Sequence, residues 1–107
     1  MRIAARTDTN QKELTREFEK LGCSVGDLHR VGKGMTDLVV GVGSIGTERG
    51  VNWLVEVKYQ DGTETDDQIR FRGAWRGPRA IARTVDDVER IVKTMRRQAF
   101  LIAMGHT

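Results

Sequence analysis

Trp53-Leu54-Val55-Glu56-Val57-Lys58-Tyr59 is an apolar run interrupted by one carboxylate and one ammonium group two positions apart. Side chains of a strand alternate between its faces, so Leu54, Glu56 and Lys58 are predicted on the same face. Because burying an unpaired ion is costly, charges in so hydrophobic a strand need partners. An exposed Glu-Lys pair on an edge strand is the simplest explanation, and the segment upstream favours a different one.

A second apolar run, Gly34 to Val42, carries Asp37 near its start, and the glycine-rich segment Gly43 to Gly50 connects it to the first run. This pattern predicts an antiparallel hairpin in which Asp37 and Glu56 lie close together. Two neighbouring carboxylates repel each other unless a proton or a cation lies between them. With an ammonium group beside the cation, such a set has the parts needed to hydrolyse a phosphodiester: the cation as Lewis acid, and Lys58 to hold or deprotonate the attacking water.

The order Thr36-Asp37, spacer, Glu56-Val57-Lys58 resembles the signature of the PD-(D/E)xK nuclease superfamily. Within it, nearly the whole chain is similar to phage and archaeal Holliday junction resolvases and to virus-type replication-repair nuclease (VRR-NUC) domains. The resemblance implies an α/β, restriction-endonuclease-like fold of order αβββαβα, with a central mixed sheet flanked by helices. It also implies Mg²⁺ or Mn²⁺ held by Asp37, Glu56 and the Val57 backbone carbonyl, and a DNA substrate.

The first helix is predicted from Thr9 to Leu21, opened by a capping box of Asp8 and Gln11, after a polar arm at residues 1–7. The resembled nucleases usually carry a glutamate on this helix that completes the metal site. In this chain Gln11 occupies the matching position, whereas Glu13 points away from the apolar stripe. Gln11 is therefore a candidate to hold a metal-coordinated water without adding charge, and a capping role fits it equally well.

A capping box at Thr65-Asp66-Asp67-Gln68 predicts a second helix that extends to about Arg76. Its predicted inward-facing stripe consists of Phe71, Ala74 and Trp75. Gln68 lies one turn earlier on the same face, so its amide is expected to reach toward Glu56 and Lys58. The resembled nucleases carry a glutamine at this place, which favours Gln68 as an active-site residue over a cap alone.

Several basic residues are candidates for contacts to DNA phosphates. A short strand is predicted from Ser24 to Val31, with a bulge or turn at Gly26-Asp27, and it leads into the loop Gly32-Lys33-Gly34. Glycines let a phosphate backbone approach closely, and the loop precedes Asp37 directly. The candidates are His29, Arg30, Lys33, Arg72 and Arg76. An ordinary half-buried histidine and a solvated arginine face are the alternatives.

The rest of the chain predicts a strand at Arg79 to Arg83 and a last helix capped at Thr84. The apolar segment Phe100 to Met104 either packs on the monomer or forms a dimer contact. A formal G-x-G-x-x-G at Gly41 to Gly46 is typical of dinucleotide sites, but no helix is predicted to begin there, so this reading is disfavoured.

Length and composition predict a single domain spanning residues 1–107. The chain has 18 basic and 15 acidic residues, a formal charge of +3 and one cysteine, Cys23. A mildly basic balance permits a nucleic-acid partner, and a lone cysteine excludes an internal disulfide and is typical of a reduced, cytoplasmic protein. No signal peptide and no membrane-spanning segment are predicted.

These patterns together predict a metal-dependent endonuclease that cuts structured DNA, such as a four-way junction in phage recombination or genome processing. Symmetric cutting of a junction requires two active sites, so a two-fold homodimer is expected. A non-catalytic DNA-binding module on the same fold is the alternative, because Gln11 and Thr36 stand where the family has glutamate and proline. A protein-interaction domain leaves Asp37, Glu56 and Lys58 unexplained.

Overall fold

The residues described by the computed structural model, 3–43 and 49–105 with side chains from residue 9 onward, form one four-stranded sheet and three helices. In chain order these are α1 (Ile3–Lys20), β1 (Ser24–Asp27), β2 (Leu38–Gly43), β3 (Gly50–Val57), α2 (Asp66–Ala74), β4 (Arg79–Ala82) and α3 (Val85–Ala103). The αβββαβα order confirms the predicted fold class. Residues 44–48, which contain most of the predicted hairpin loop and part of the G-x-G-x-x-G pattern, lie outside the described ranges.

The sheet has the strand order β1-β2-β3-β4, and it is mixed as predicted. β2 pairs antiparallel with both β1 and β3, whereas β3 pairs in parallel with β4 after the connection through α2. In the predicted hairpin, Leu38 lies opposite Val55. Continuing that register by one residue places Asp37 opposite Glu56, at the edge of the sheet where β2 begins and β3 ends.

The hydrophobic core lies between the sheet and the two longer helices, α1 and α3, which also contact each other. Its most deeply buried members come from both layers: Leu14, Phe18, Val40, Val55, Val57, Val88, Val92 and Met95. The period of apolar residues in α1 and α3 matches this one-sided burial. Cys23 is buried within this core.

The start of α1 differs from the prediction. The helix begins at Ile3 and not at Thr9, so the predicted arm is wrong from residue 3 onward. Ala4 and Ala5 are strong helix formers, and no proline or glycine separates them from the helix that follows. Asp8 therefore lies within the helix and does not open it.

The first strand is shorter than predicted, because it ends at Asp27 and not at Val31. The Asp27 carboxylate accepts a hydrogen bond of 2.9 Å from the His29 backbone N–H, which turns the chain out of the sheet. A turn bond of 3.0 Å from the Val31 N–H to the Leu28 carbonyl follows. His29 and Arg30 consequently lie in a turn.

The predicted inward stripe of α2 is wrong, since no residue of this helix is buried. Phe71 is only partly buried, Ala74 and Trp75 are exposed, and the rings of Phe71 and Trp75 stack with centroids 5.3 Å apart. The helix also ends at Ala74, with Trp75 as its C-cap, before Arg76. Polar contacts, and not apolar packing, hold this short helix against the protein.

One of these polar contacts is centred on Glu64, which precedes α2. Its carboxylate pairs with Arg72 of α2 at 2.9 Å and with Arg79 of β4 at 2.7 Å. The Glu64 and Arg79 side chains are nearly buried, at 11% and 8% exposure. Glu64 therefore attaches α2 to the edge strand through one pair that is shielded from solvent, with Arg79, and one whose Arg72 side chain is 52% exposed.

The last strand and helix agree with the prediction, including the capping box that Thr84 and Asp87 form at the start of α3. The apolar tail is the last turn of α3, and Phe100 and Met104 remain 62% exposed, so neither side chain is packed into the described part of the monomer. None of the described helices combines the length and the apolar character needed to cross a membrane.

Candidate active site

Asp37 directly precedes β2, which begins at Leu38. Its Oδ2 accepts a hydrogen bond of 2.8 Å from the backbone N–H of Val57, which joins the start of β2 to the end of β3. The preceding Thr36 is fully buried, and its hydroxyl donates to the Leu38 carbonyl at 3.3 Å. Thr36 thus supports the turn at the position where the resembled family has proline.

Glu56 is the buried acid of the site, with only 1% of its surface exposed. Burial, and after it the neighbouring Asp37 carboxylate, together raise the pKa of Glu56 to about 8, against the opposing effect of Lys58. Among the described residues, Oε1 of Glu56 has no hydrogen-bond partner. The structure therefore brings the Asp37 and Glu56 carboxyl groups together, and the space between these groups favours a positive charge.

Lys58 and Gln68 complete a network with Glu56. The Lys58 ammonium lies 3.5 Å from Glu56 Oε2 and donates to Gln68 Oε1 at 2.6 Å. Gln68 Nε2 donates to Glu56 Oε2 at 2.7 Å. The Lys58 ammonium group can only donate, so it faces the carbonyl oxygen of the Gln68 amide. Glu56 Oε2 accepts, so it faces the NH₂ group of that amide.

The position of Gln68 follows from the start of α2. Its Oε1 also accepts from the Thr65 N–H at 2.9 Å, while the Gln68 N–H donates to Thr65 Oγ1 at 3.2 Å. This is the predicted capping box, and the same amide serves the cap and the site. The two predicted roles of Gln68 are therefore compatible in one conformation.

A close backbone contact supports the same helix start. Gly32, Lys33 and Gly34 have positive φ angles of 72°, 57° and 81°. A Cβ at Gly34 would overlap the Asp67 carbonyl and would lie 3.0 Å from the Gln68 backbone nitrogen. Only glycine allows this approach without displacement, so the loop holds the first turn of α2, and with it Gln68, in place.

Asn10 is a site-supporting residue that the sequence prediction missed. Its Nδ2 donates to the backbone carbonyls of Lys58 at 2.8 Å and Arg83 at 3.2 Å, which anchors α1 to the ends of β3 and β4. Asn10 is buried and lies four residues before Leu14, on the apolar stripe of α1. A polar residue on that stripe, within the predicted helix, was the available signal.

Gln11 is not drawn into this network. It lines a cleft beside α1, and among the described residues no hydrogen bond links it to Asp37, Glu56 or Lys58. Its role near a metal stays a prediction. The contact that α1 makes to the site comes from the neighbouring Asn10.

The predicted DNA-contacting residues lie on the surface of the protein. Arg30 and Lys33 are exposed in the loop before Asp37 and have no ion-pair partner in the described parts of the chain. The exposed His29 ring lies 3.8 Å from the Asp27 carboxylate. On the other side, Arg72 is paired with Glu64, whereas Arg76 is exposed just beyond α2.

The residues present fit a hard divalent cation. Oxygen ligands suit Mg²⁺ and Mn²⁺, and Mg²⁺ usually keeps several waters while one or two carboxylates bind it. Asp37 and Glu56 supply two carboxylates, and Oε1 of Glu56 accepts no hydrogen bond from the described residues, which suits it to binding a cation. No group of three or more His, Cys, Asp or Glu side chains suited to a metal occurs in residues 9–43 and 49–105.

Comparison with known proteins gives one informative result. No protein-family model and no curated protein matches the sequence. A solved structure described as a "VRR_NUC domain" is similar, with a TM-score of 0.63 and 26% sequence identity, over 81% of this chain and 94% of that chain. The similarity covers nearly the whole of that domain, and it agrees with the resemblance that the motifs imply.

Proposed function

We propose that this chain, a VRR-NUC-like nuclease domain, is a Mg²⁺- or Mn²⁺-dependent endonuclease that hydrolyses phosphodiester bonds in DNA. The observation that carries the proposal is the buried Glu56 carboxylate, which lies beside Asp37 and within 3.5 Å of Lys58. A buried acid with a raised pKa next to a second acid is costly for folding, and such arrangements are concentrated at functional sites.

Asp37, Glu56 and the backbone carbonyl of Val57 are the proposed ligands. When bound, the cation supplies Lewis acidity for the scissile phosphate and a lowered pKa for a coordinated water. Asp37 keeps Oδ1 for this role, because Oδ2 accepts the Val57 N–H. Loss of the proton from Glu56 accompanies binding, since the carboxylate binds the cation in its charged form.

Lys58 is the proposed catalytic residue that carries a positive charge. One of its three N–H groups donates to Gln68, which leaves the others to hold the attacking water and to offset negative charge that develops on the phosphate. Gln68 orients the ammonium group and keeps Glu56 Oε2 hydrogen-bonded. The Lys58 and Glu56 side chains are therefore held in position before the substrate binds.

The preferred substrate is proposed to be branched DNA, such as a four-way junction. Support comes from the motif resemblance to junction resolvases and from the exposed Arg30, Lys33 and Arg76. A homodimer is proposed with it, because one active site of this size cuts a single strand at a time. The buried Cys23 is compatible with a reducing compartment, and we propose the cytoplasm of a bacterium or a phage-infected host.

A cleavage panel tests the proposed function. Four-way junctions, flaps, single strands and plain duplex are incubated with Mg²⁺, Mn²⁺ or EDTA, using the wild-type protein, Asp37→Asn and the control Asp61→Asn. Asp61 is an exposed carboxylate outside the site. We expect metal-dependent cleavage by the wild type and by Asp61→Asn and none by Asp37→Asn. Unchanged cleavage by Asp37→Asn would refute the assignment.

The junction and dimer proposals have a separate test. Sedimentation at micromolar protein, with and without a four-way junction, should show a dimer. A monomer in both conditions counts against junction resolution and favours nicking or flap cutting.

A non-catalytic DNA-binding module is the second candidate. It is favoured by the position of Gln11, a neutral residue without a hydrogen bond to the site, and by the presence of only two clustered carboxylates among the described side chains. This candidate predicts salt-sensitive DNA binding with no metal affinity and no cleavage of any substrate in the panel.

A further inference from the structure

A cleft of about 500 Å³ lies between α1 and the end of β1 with its following turn. Its polar lining consists of Gln11, Lys12, Thr15, Arg16, Asp27 and His29. Gln11 and Thr15, like Lys12 and Arg16, are four residues apart, so each pair stacks on one side of α1. One wall of the cleft is therefore a polar and cationic helix surface.

The cleft adjoins the candidate active site. Its lining includes Leu38, the residue directly after Asp37. It also includes Gln11, the residue directly after Asn10, whose amide holds the Lys58 carbonyl. The cleft and the candidate active site therefore involve neighbouring residues on α1 and at the start of β2.

The charges of the cleft favour an anion. Lys12 and Arg16 are exposed and have no ion-pair partner within the described ranges. Among the described residues that line the cleft, the only acid is Asp27, whose Oδ1 already accepts the His29 backbone N–H. The cations outnumber this acid, and Gln11 and Thr15 add uncharged donors.

We propose that this cleft binds the phosphodiester backbone of the substrate strand that flanks the scissile bond, with its phosphate on Lys12 and Arg16. The proposal rests on the nuclease function proposed above and extends its DNA-binding surface to α1. Because the cleft is concave, a flexible single strand that has left the duplex fits it better than a rigid duplex. Gln11 then acts as a substrate-binding amide.

Binding of a fluorescein-labelled single strand of about 12 nucleotides, followed by anisotropy in EDTA, tests the proposal without requiring cleavage. The test variant is Lys12→Ala with Arg16→Ala. The matched control is Lys93→Ala with Arg97→Ala, an exposed pair with the same spacing on α3, outside the cleft. Thermal unfolding by circular dichroism verifies that both variants are folded.

We expect the α1 variant to bind at least about tenfold more weakly and to lower the slope of log affinity against log salt by about 0.7 per lost phosphate contact. The α3 variant should stay near wild type. Equal binding by the two variants would overturn the proposal.

Asp27→Asn supplies a test of opposite sign. Asparagine keeps an oxygen to accept the His29 N–H while it removes the negative charge, so binding of the single strand should tighten. Unchanged or weaker binding would contradict the proposed phosphate position.

The two proposals fail in distinguishable ways. If the wild type cuts DNA but the α1 and α3 variants bind alike, the nuclease function stands and the cleft proposal is refuted. If no protein cuts DNA but only the α1 variant loses binding, the cleft proposal stands and the nuclease function is refuted.

Discussion

The backbone N–H of Val57 donates a hydrogen bond of 2.8 Å to Oδ2 of Asp37, so the acid at the start of β2 is attached to the end of β3. Because the next side chain back along β3 is the buried Glu56, this bond determines the geometry of the whole site. It also leaves the second oxygen of Asp37 available for a cation.

Glu56 should make the metal-free protein less stable as pH rises. The folded-state pKa of Glu56 is about 8, above its ordinary value of 4.5, so between these values the folded state binds more protons than the unfolded state. The free energy of unfolding should therefore fall between about pH 4.5 and 8. Glu56→Gln removes this titration and should be more stable than wild type at pH 9 by about 2 kcal/mol or more, but similar at pH 5.

Urea denaturation in EDTA at the two pH values measures this difference, with the exposed Glu13→Gln as control. Equal pH dependence of Glu56→Gln and wild type would show that Glu56 does not carry a raised pKa. Glu56→Gln should also abolish cleavage. Substitutions that stabilise an active site commonly cost activity.

Gln68→Ala should lower kcat about 10- to 100-fold, because the Lys58 ammonium and Glu56 Oε2 both lose a hydrogen-bond partner. Thr65→Ala is the matched control. It removes the other half of the capping box, at a cost of about 1 kcal/mol in stability, but retains the Gln68 amide. If both variants lose the same activity, Gln68 acts only as a cap.

Gly34→Ala should lower activity by displacing Gln68 through the first turn of α2. It places a methyl group against the Asp67 carbonyl, so the first turn of α2 must shift and Gln68 with it. Gly32→Ala imposes a similar positive-φ penalty, but nothing lies within 4 Å of its Cβ. Both variants should lose about 1 kcal/mol of stability from the backbone alone, and only Gly34→Ala should lose kcat. Equal kcat values would mean that the loop does not position α2.

Asn10→Ala should destabilise the protein by about 1–3 kcal/mol, because the carbonyls of Lys58 and Arg83 lose a buried donor. Gln11→Ala removes no hydrogen bond to the site, and its stability should change by less than about 0.5 kcal/mol. Chemical denaturation measures both. A larger loss for Gln11→Ala than for Asn10→Ala would contradict the contacts of α1.

The sequence predicts the centre of this protein better than its edges. The β2–β3 hairpin follows from two apolar runs joined by glycines, and it brings Asp37 and Glu56 together through register alone. The Gln68 contact follows from a capping box, which is a local signal. These elements depend on residues close to one another in sequence.

The start of α1 and the end of β1 were missed for local reasons, whereas the other errors occur where distant contacts decide the outcome. Trp75 is exposed because few other elements pack over α2. The attachment of this helix through Glu64 depends on Arg79, which is 15 residues further along the chain. The role of Asn10 depends on carbonyls 48 and 73 residues away. Local periodicity carries no information about partners so far along the chain.

Crystals soaked in Mn²⁺, with anomalous diffraction measured near the manganese edge, test whether Asp37 and Glu56 share one cation. We expect one anomalous peak within bonding distance of both the Asp37 and Glu56 carboxylates, and the loss of that peak in Asp37→Asn. A peak that contacts neither carboxylate, or no peak at millimolar Mn²⁺ in the wild-type protein, would contradict this expectation.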